Sequence, residues 1–137
     1  MSQENVEVVQ HWIEAYNARD MDGILEAIDP DFEFRSIFVA VESVFRAPEG
    51  FPDAYFKTLD EAYQSFVVTP SEWIDAGAAV LVLATADWRG SGSGAEGKTP
   101  IATAFWLRGG KVFRAETFTD RAQALEAGVG HQPEQPE

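Results

Sequence analysis

The chain of 137 residues has no cysteine. No disulfide can form, and no thiolate is available as nucleophile, redox centre or zinc ligand. Histidine is almost as scarce: His11 and His131 are the only two, 120 positions apart, so no pair has ligand spacing and no metal centre is expected. Cations are few, with 10 Lys and Arg against 23 Asp and Glu and a formal charge of −13. That balance repels phosphate backbones and anionic lipid, so nucleic acid is not an expected partner. Scattered surface carboxylates serve solubility and carry no catalytic weight. Long apolar runs are missing too. The longest, Ala76 to Ala86, is far short of the roughly 20 residues that span a bilayer. The opening MSQENVEVVQHW lacks the basic start and the apolar run of about 7 to 15 residues of a secretory signal. These absences predict a cytoplasmic protein with no membrane partner.

What is present is apolar and aromatic. Residues of hydrophobic type make up 45%, with ten Phe, four Trp and three Tyr, which is incompatible with a disordered chain. The length suits one domain with a core that needs no covalent staple. A single domain over residues 1–128 is expected, followed by a disordered tail over 129–137, where proline, glycine and glutamate dominate.

Periodicity orders the elements. Val6, Val9, Ile13 and Tyr16, flanked by Val8, Trp12 and Ala15, form a stripe at spacings of three and four that predicts a helix over 4–18. A second helix over 21–28 carries Ile24, Leu25 and Ile28 and stops at Pro30. Alternation over 32–44 predicts a first strand. A turn over 47–52 leads to a third helix over 54–63, with Phe56, Leu59 and Tyr63 at helical spacing. Four strands follow, over 66–73, 78–88, 99–107 and 111–119, separated by Asp75-Ala76-Gly77, by Gly90 to Gly97 and by Gly109-Gly110. The glycines at alternate positions in Gly90-Ser91-Gly92-Ser93-Gly94 lie between two strands, so they are a hairpin loop and not a dinucleotide fingerprint; no cofactor is expected. Helices first and hairpin-linked strands after them predict an α+β domain with an antiparallel meander.

Several phrases carry a family resemblance: Tyr16-Asn17-Ala18-Arg19-Asp20 with Ile24-Leu25, then Asp29-Pro30-Asp31-Phe32-Glu33-Phe34, Trp73-Ile74-Asp75-Ala76-Gly77, Gly109-Gly110-Lys111-Val112, and Thr119-Asp120-Arg121-Ala122 with Ala124-Leu125-Glu126. The chain resembles the nuclear transport factor 2-like superfamily in its polyketide-cyclase and ketosteroid-isomerase-related, SnoaL-like branch. The resemblance implies a cone-shaped curved sheet, mixed or antiparallel, wrapped around about three N-terminal helices with a central pocket. It also implies a homodimer through the outer sheet face. For function it implies binding of a small hydrophobic or polar-aromatic molecule, with isomerase, cyclase and hydrolase chemistries all open; a non-catalytic dimeric module is the alternative.

An ungapped alignment to steroid isomerases of the superfamily places the oxyanion tyrosine on Trp12, the proton-moving carboxylate on Arg35 and the strand aspartate on or next to Thr103. The cyclase base falls on Thr117. None of these residues can fill the corresponding role: an indole N–H is a weak acid, a guanidinium takes no proton near neutrality, and a threonine has no carboxyl to protonate.

The best remaining candidates for chemistry are Glu33 and Arg35, which alternate in phase on one strand and are expected to face the cone interior. A carboxylate beside a guanidinium could bind a polar molecule or hold water, as an Asp-Arg-Asp arrangement does in epoxide hydrolases of the superfamily. The competing reading is a structural ion pair. Trp12, Tyr16, Thr103, Phe105 and Thr117 are expected to line the pocket around that pair. Phe32, Phe34 and Phe38 would then project outward as apolar surface for a partner subunit. The four tryptophans could line the pocket but equally serve as core. His11 reads as a solvent-edge histidine, and Asp120 as the cap of a short terminal helix, not a catalytic acid.

Overall fold

The computed structural model describes residues 2–37, 44–47, 49–77, 79–92 and 94–130. The first helix, α1 (Ser2–Ala18), buries Val9, Trp12, Ile13, Ala15 and Tyr16 on one face, the stripe its periodicity predicts. It stops where Arg19 takes the left-handed conformation (φ 56°). The guanidinium of Arg19 stacks 4.8 Å from the centre of the Phe56 ring and pairs with Asp60 at 3.0 Å, and those contacts offset the backbone strain. Asp20 caps α2 (Met21–Ala27) by accepting the Gly23 N–H at 3.1 Å. A side chain at Gly23 would lie 2.7 Å from that carboxylate and 3.2 Å from Ala15 Cβ, so only glycine permits so sharp a corner.

The strands are β1 (Ile28–Arg35), β2 (Val44–Arg46), β3 (Tyr63–Asp75), β4 (Ala79–Gly90), β5 (Glu96–Arg108) and β6 (Lys111–Phe118), in the order β2-β1-β6-β5-β4-β3. The predicted meander is β3 to β6, antiparallel throughout, and its last hairpin turns on Gly109 and Gly110, both at positive φ. β1 joins it parallel to β6, and β2 pairs antiparallel with β1, so the sheet is mixed. The predicted first strand over 32–44 is therefore two strands; positions 38–43, Phe38 among them, lie outside the described residues. An irregular turn (Gly50–Ala54), extended at Phe51 (φ −151°, ψ 136°), leads into α3 (Tyr55–Ala62).

Asn17 ties α1 to the sheet. Its amide donates to the Val68 carbonyl at 2.8 Å and accepts the Val68 N–H at 2.9 Å, matching both halves of one strand residue's backbone. Helices α1, α2 and α3 fill one side of the sheet, over a core that includes Trp12, Tyr16, Phe32, Phe34, Phe51, Tyr55, Phe66, Val82 and Phe105.

The opposite face carries a second cluster. Ala79, Leu81, Ala102, Ala104 and Trp106 are covered by α4 (Arg121–Gly130) through Ala124. Asp120 accepts the Ala122 N–H at 2.7 Å at the start of α4, the capping role its sequence context predicts. Positions 131–137, with His131, lie outside the described residues. No described helix is long and apolar enough to cross a membrane.

The in-and-out phase of β1 is the reverse of the expectation from Glu33 and Arg35. Phe32 and Phe34 are buried in the helix-side core, and the two charged residues face the other way. Burying two phenylalanines stabilises by roughly 1.5–3 kcal/mol each, while burying a carboxylate and a guanidinium incurs a desolvation cost. The apolar outer surface expected from Phe32 and Phe34 is accordingly not there.

Candidate functional site

Between the helices and the concave side of the sheet lies a cavity lined by Trp12, Ile13, Tyr16, Phe34, Ser36, Tyr55, Phe66, Val68, Val82, Ala84, Ile101, Thr103, Phe105 and Thr117. Each strand sends in every second residue, as the pleat requires: Val82 and Ala84 from β4; Ile101, Thr103 and Phe105 from β5; Thr117 from β6. The cavity has a volume of about 30 Å³. Room for roughly two or three waters suits a compact or slim guest. A larger one has to displace side chains.

Trp12 is the main reason the space is narrow. Its ring stacks on Tyr16 (centroids 5.3 Å) and Phe51 (6.1 Å, 6° between planes) and meets Phe105 (5.1 Å) and Phe34 (5.7 Å) edge to face. Its Nε1–H is buried and has no hydrogen-bond partner among the described residues. An unpartnered buried donor costs about 1–3 kcal/mol.

The polar groups of the wall are hydroxyls. Tyr16 and Tyr55 oxygens are 2.8 Å apart, Ser36 Oγ is 3.5 Å from Tyr55, and the Thr103 and Thr117 oxygens are 3.3 Å apart. Burial holds the Tyr16 phenol well above its ordinary range, with Tyr55 adding to the effect. Burial likewise pushes Tyr55 up to about 12, although its hydrogen bonds to Ser36 and Tyr16 pull the other way. Both phenols are therefore protonated at neutral pH and act as donors. The lining contains no carboxylate, imidazole or amine, so among the described residues nothing in the wall takes a proton near neutrality.

Of the residues singled out from the sequence, Trp12, Tyr16, Thr103, Phe105 and Thr117 come together in this wall. Glu33 and Arg35 do not. They stand on the far side of the sheet, 4.0 Å apart, with Arg46 3.3 Å from the other Glu33 oxygen. Trp106 belongs to the outer cluster, and of the four tryptophans only Trp12 lines the cavity. His11 is exposed and 3.8 Å from Glu26. Tyr55 and Ser36 were missed, although Tyr55 and Leu59 stand four apart and mark the same helix face. No group of three or more His, Asp and Glu among the described residues could hold a metal.

Residues 9–115 match the model of the SnoaL-like domain. Among curated proteins none matches the chain in sequence. Solved structures are similar in fold. TerC, co-crystallized with polyporic acid, is 21% identical with a TM-score of 0.76, over 90% of this chain and 98% of that one. An NTF2-like protein from Burkholderia pseudomallei is 19% identical with a TM-score of 0.77, over 90% and 95%. A protein of ketosteroid isomerase-like fold from Catenulispora acidiphila, in complex with trimethylamine, is 17% identical with a TM-score of 0.71, over 96% and 98%.

Proposed function

The chain belongs to the SnoaL-like domain family, and from that premise we propose that it binds a small, flat, largely apolar molecule through one oxygen acceptor inside the cone. The observation that carries this is the buried, unpartnered indole N–H of Trp12 in a cavity wall otherwise made of aromatic rings and hydroxyls. Beside it the hydroxyls of Tyr16, Tyr55 and Ser36 form a hydrogen-bonded chain. A single buried donor suits a carbonyl or phenol oxygen, and rings on several sides suit a planar body. TerC was co-crystallized with polyporic acid, a guest of a size that would have to displace side chains in this cavity.

Donors of this kind polarise a carbonyl, which is the electrophilic half of an isomerisation or cyclisation. The wall offers no base for the other half among the described residues. The reading is therefore a binding protein, with any proton transfer left to the guest's own groups. We place it in the cytoplasm, in keeping with a chain that has no cysteine. The alternative, a non-catalytic dimeric module pairing through the outer sheet face, is less well supported. Helix α4 already covers the apolar part of that face.

The test is a fluorescence titration with matched pairs of cyclic ketones or phenols and the hydrocarbons of the same shape. The ketone or phenol should bind more tightly, and Trp12→Phe should erase that preference, a loss of about tenfold in affinity for one hydrogen bond. Equal affinity for both members of each pair, or none for either, overturns the reading.

A further inference from the structure

On the far face of the sheet, three arginines converge. The register sets Arg46, Glu33 and Arg114 side by side across β2, β1 and β6, with Arg35 opposite Glu116 in the next row. Glu33 is shared by all three guanidiniums, at 3.3 Å from Arg46 and 4.0 Å from both Arg35 and Arg114. Arg114 also donates to Glu116 at 3.2 Å. Three cations against two carboxylates leave this patch at +1 in a chain of net charge −13.

Arg114 also stacks 4.9 Å from the centre of the Trp106 ring, and Arg35, with Glu33 no nearer than 4.0 Å, is the least served of the arginines. Arg19, Arg89, Arg108 and Arg121 each donate to a carboxylate at 2.7–3.3 Å. In the cluster, the Arg114–Glu116 bond is the one hydrogen bond from a guanidinium to a carboxylate among the described residues. The Nε–H groups of Arg35 and Arg114 are buried with no partner among those residues. A guanidinium has five N–H donors, and a bidentate oxyanion engages two of them in parallel. Glu33, at 4.0 Å from Arg35 and Arg114, is too distant to do so.

We infer that Arg35, Arg46 and Arg114 form a binding site for a small oxyanion, a phosphate or the carboxylate of a small molecule, on the sheet face opposite the cavity. Glu33 acts as a weak internal competitor: it keeps the three guanidiniums gathered and gives way when a stronger acceptor arrives. The patch is too small, and the chain too acidic overall, to hold a polyanion such as nucleic acid. It does not depend on what occupies the cavity, because the two sites lie on opposite faces of the sheet.

The test is calorimetric titration with inorganic phosphate, and separately with acetate, at fixed ionic strength. Saturable binding of either anion is expected, phosphate marking a tetrahedral guest and acetate alone a carboxylate. Glu33→Gln should tighten it by removing the competitor, and Arg46→Gln should weaken it by about tenfold, the loss of roughly 1.4 kcal/mol. The Arg46 side chain is two-thirds exposed, so its variant folds, and a circular dichroism spectrum checks that both variants do. No saturable heat at millimolar anion overturns the proposal. So does binding that Glu33→Gln fails to tighten or Arg46→Gln leaves unchanged.

Discussion

The hydroxyl oxygens of Tyr16 on α1 and Tyr55 on α3 lie 2.8 Å apart, both buried in the cavity wall. Removing Tyr55 strands the Tyr16 hydroxyl, whereas removing Tyr16 leaves Tyr55 its contact with Ser36 at 3.5 Å. Tyr55→Phe should cost about 1–3 kcal/mol in urea unfolding, and Tyr16→Phe less, since Tyr55 then keeps Ser36 as a partner. The double variant should lose clearly less than the sum, with a coupling of about 1 kcal/mol. Additive losses would mean that the two phenols do not depend on one another.

The same pair sets a limit at high pH. Tyr55 titrates at about 12 in the folded protein, against 10.0 for an ordinary phenol, and Tyr16 is also raised. Between those values the unfolded chain releases a proton that the folded chain keeps. Stability is thus full below pH 10 and is lost as pH rises towards 12, by about 3 kcal/mol for Tyr55. Thermal melts across that window should fall steeply, and less steeply for Tyr55→Phe. Phenolate absorbance from these two residues should appear together with unfolding.

Gly97 makes room for Trp88. The indole crosses the strand pair, donates to Thr99 Oγ1 at 3.0 Å and leaves only 2.7 Å to the position a Cβ on residue 97 would occupy. Gly97→Val should displace the ring, cost about 1–3 kcal/mol as overpacking and shift tryptophan emission towards that of an exposed indole. An unchanged melting temperature and spectrum would refute the close contact.

Helix α4 is the cover of the second cluster. Removing residues 121–137 should expose Leu81, Ala104 and Trp106 on the outer sheet face, an apolar patch of the kind that drives association. Light scattering should then report dimers or larger species at concentrations where the full chain shows fewer. If the truncated chain associates no more than the full one, α4 does not shield that face.

Much of this architecture was legible in local patterns. The stripe from Val9 to Tyr16 and the strand alternation with its glycine hairpins report nearest-neighbour geometry, so helices, strands and meander follow from the sequence. Asp120 was readable as a cap for the same reason. What alternation leaves undecided is which face of a strand is the inside. Phe32 and Glu33 alternate equally well either way, and only the packing of three helices on one side of the sheet makes that side the dry one. That choice turned Glu33 and Arg35 outward to Arg46 and Arg114 and gave the cavity to Trp12 and the two tyrosines. The sequence alone determined the helices-then-meander order, though not the split of the first strand into β1 and β2, together with the absence of cysteine chemistry and the acidic charge. The tertiary structure alone decided the contact of Tyr16 with Tyr55, 39 positions away. Such contacts arise from chain segments brought together by burial, and local spacing has no record of them.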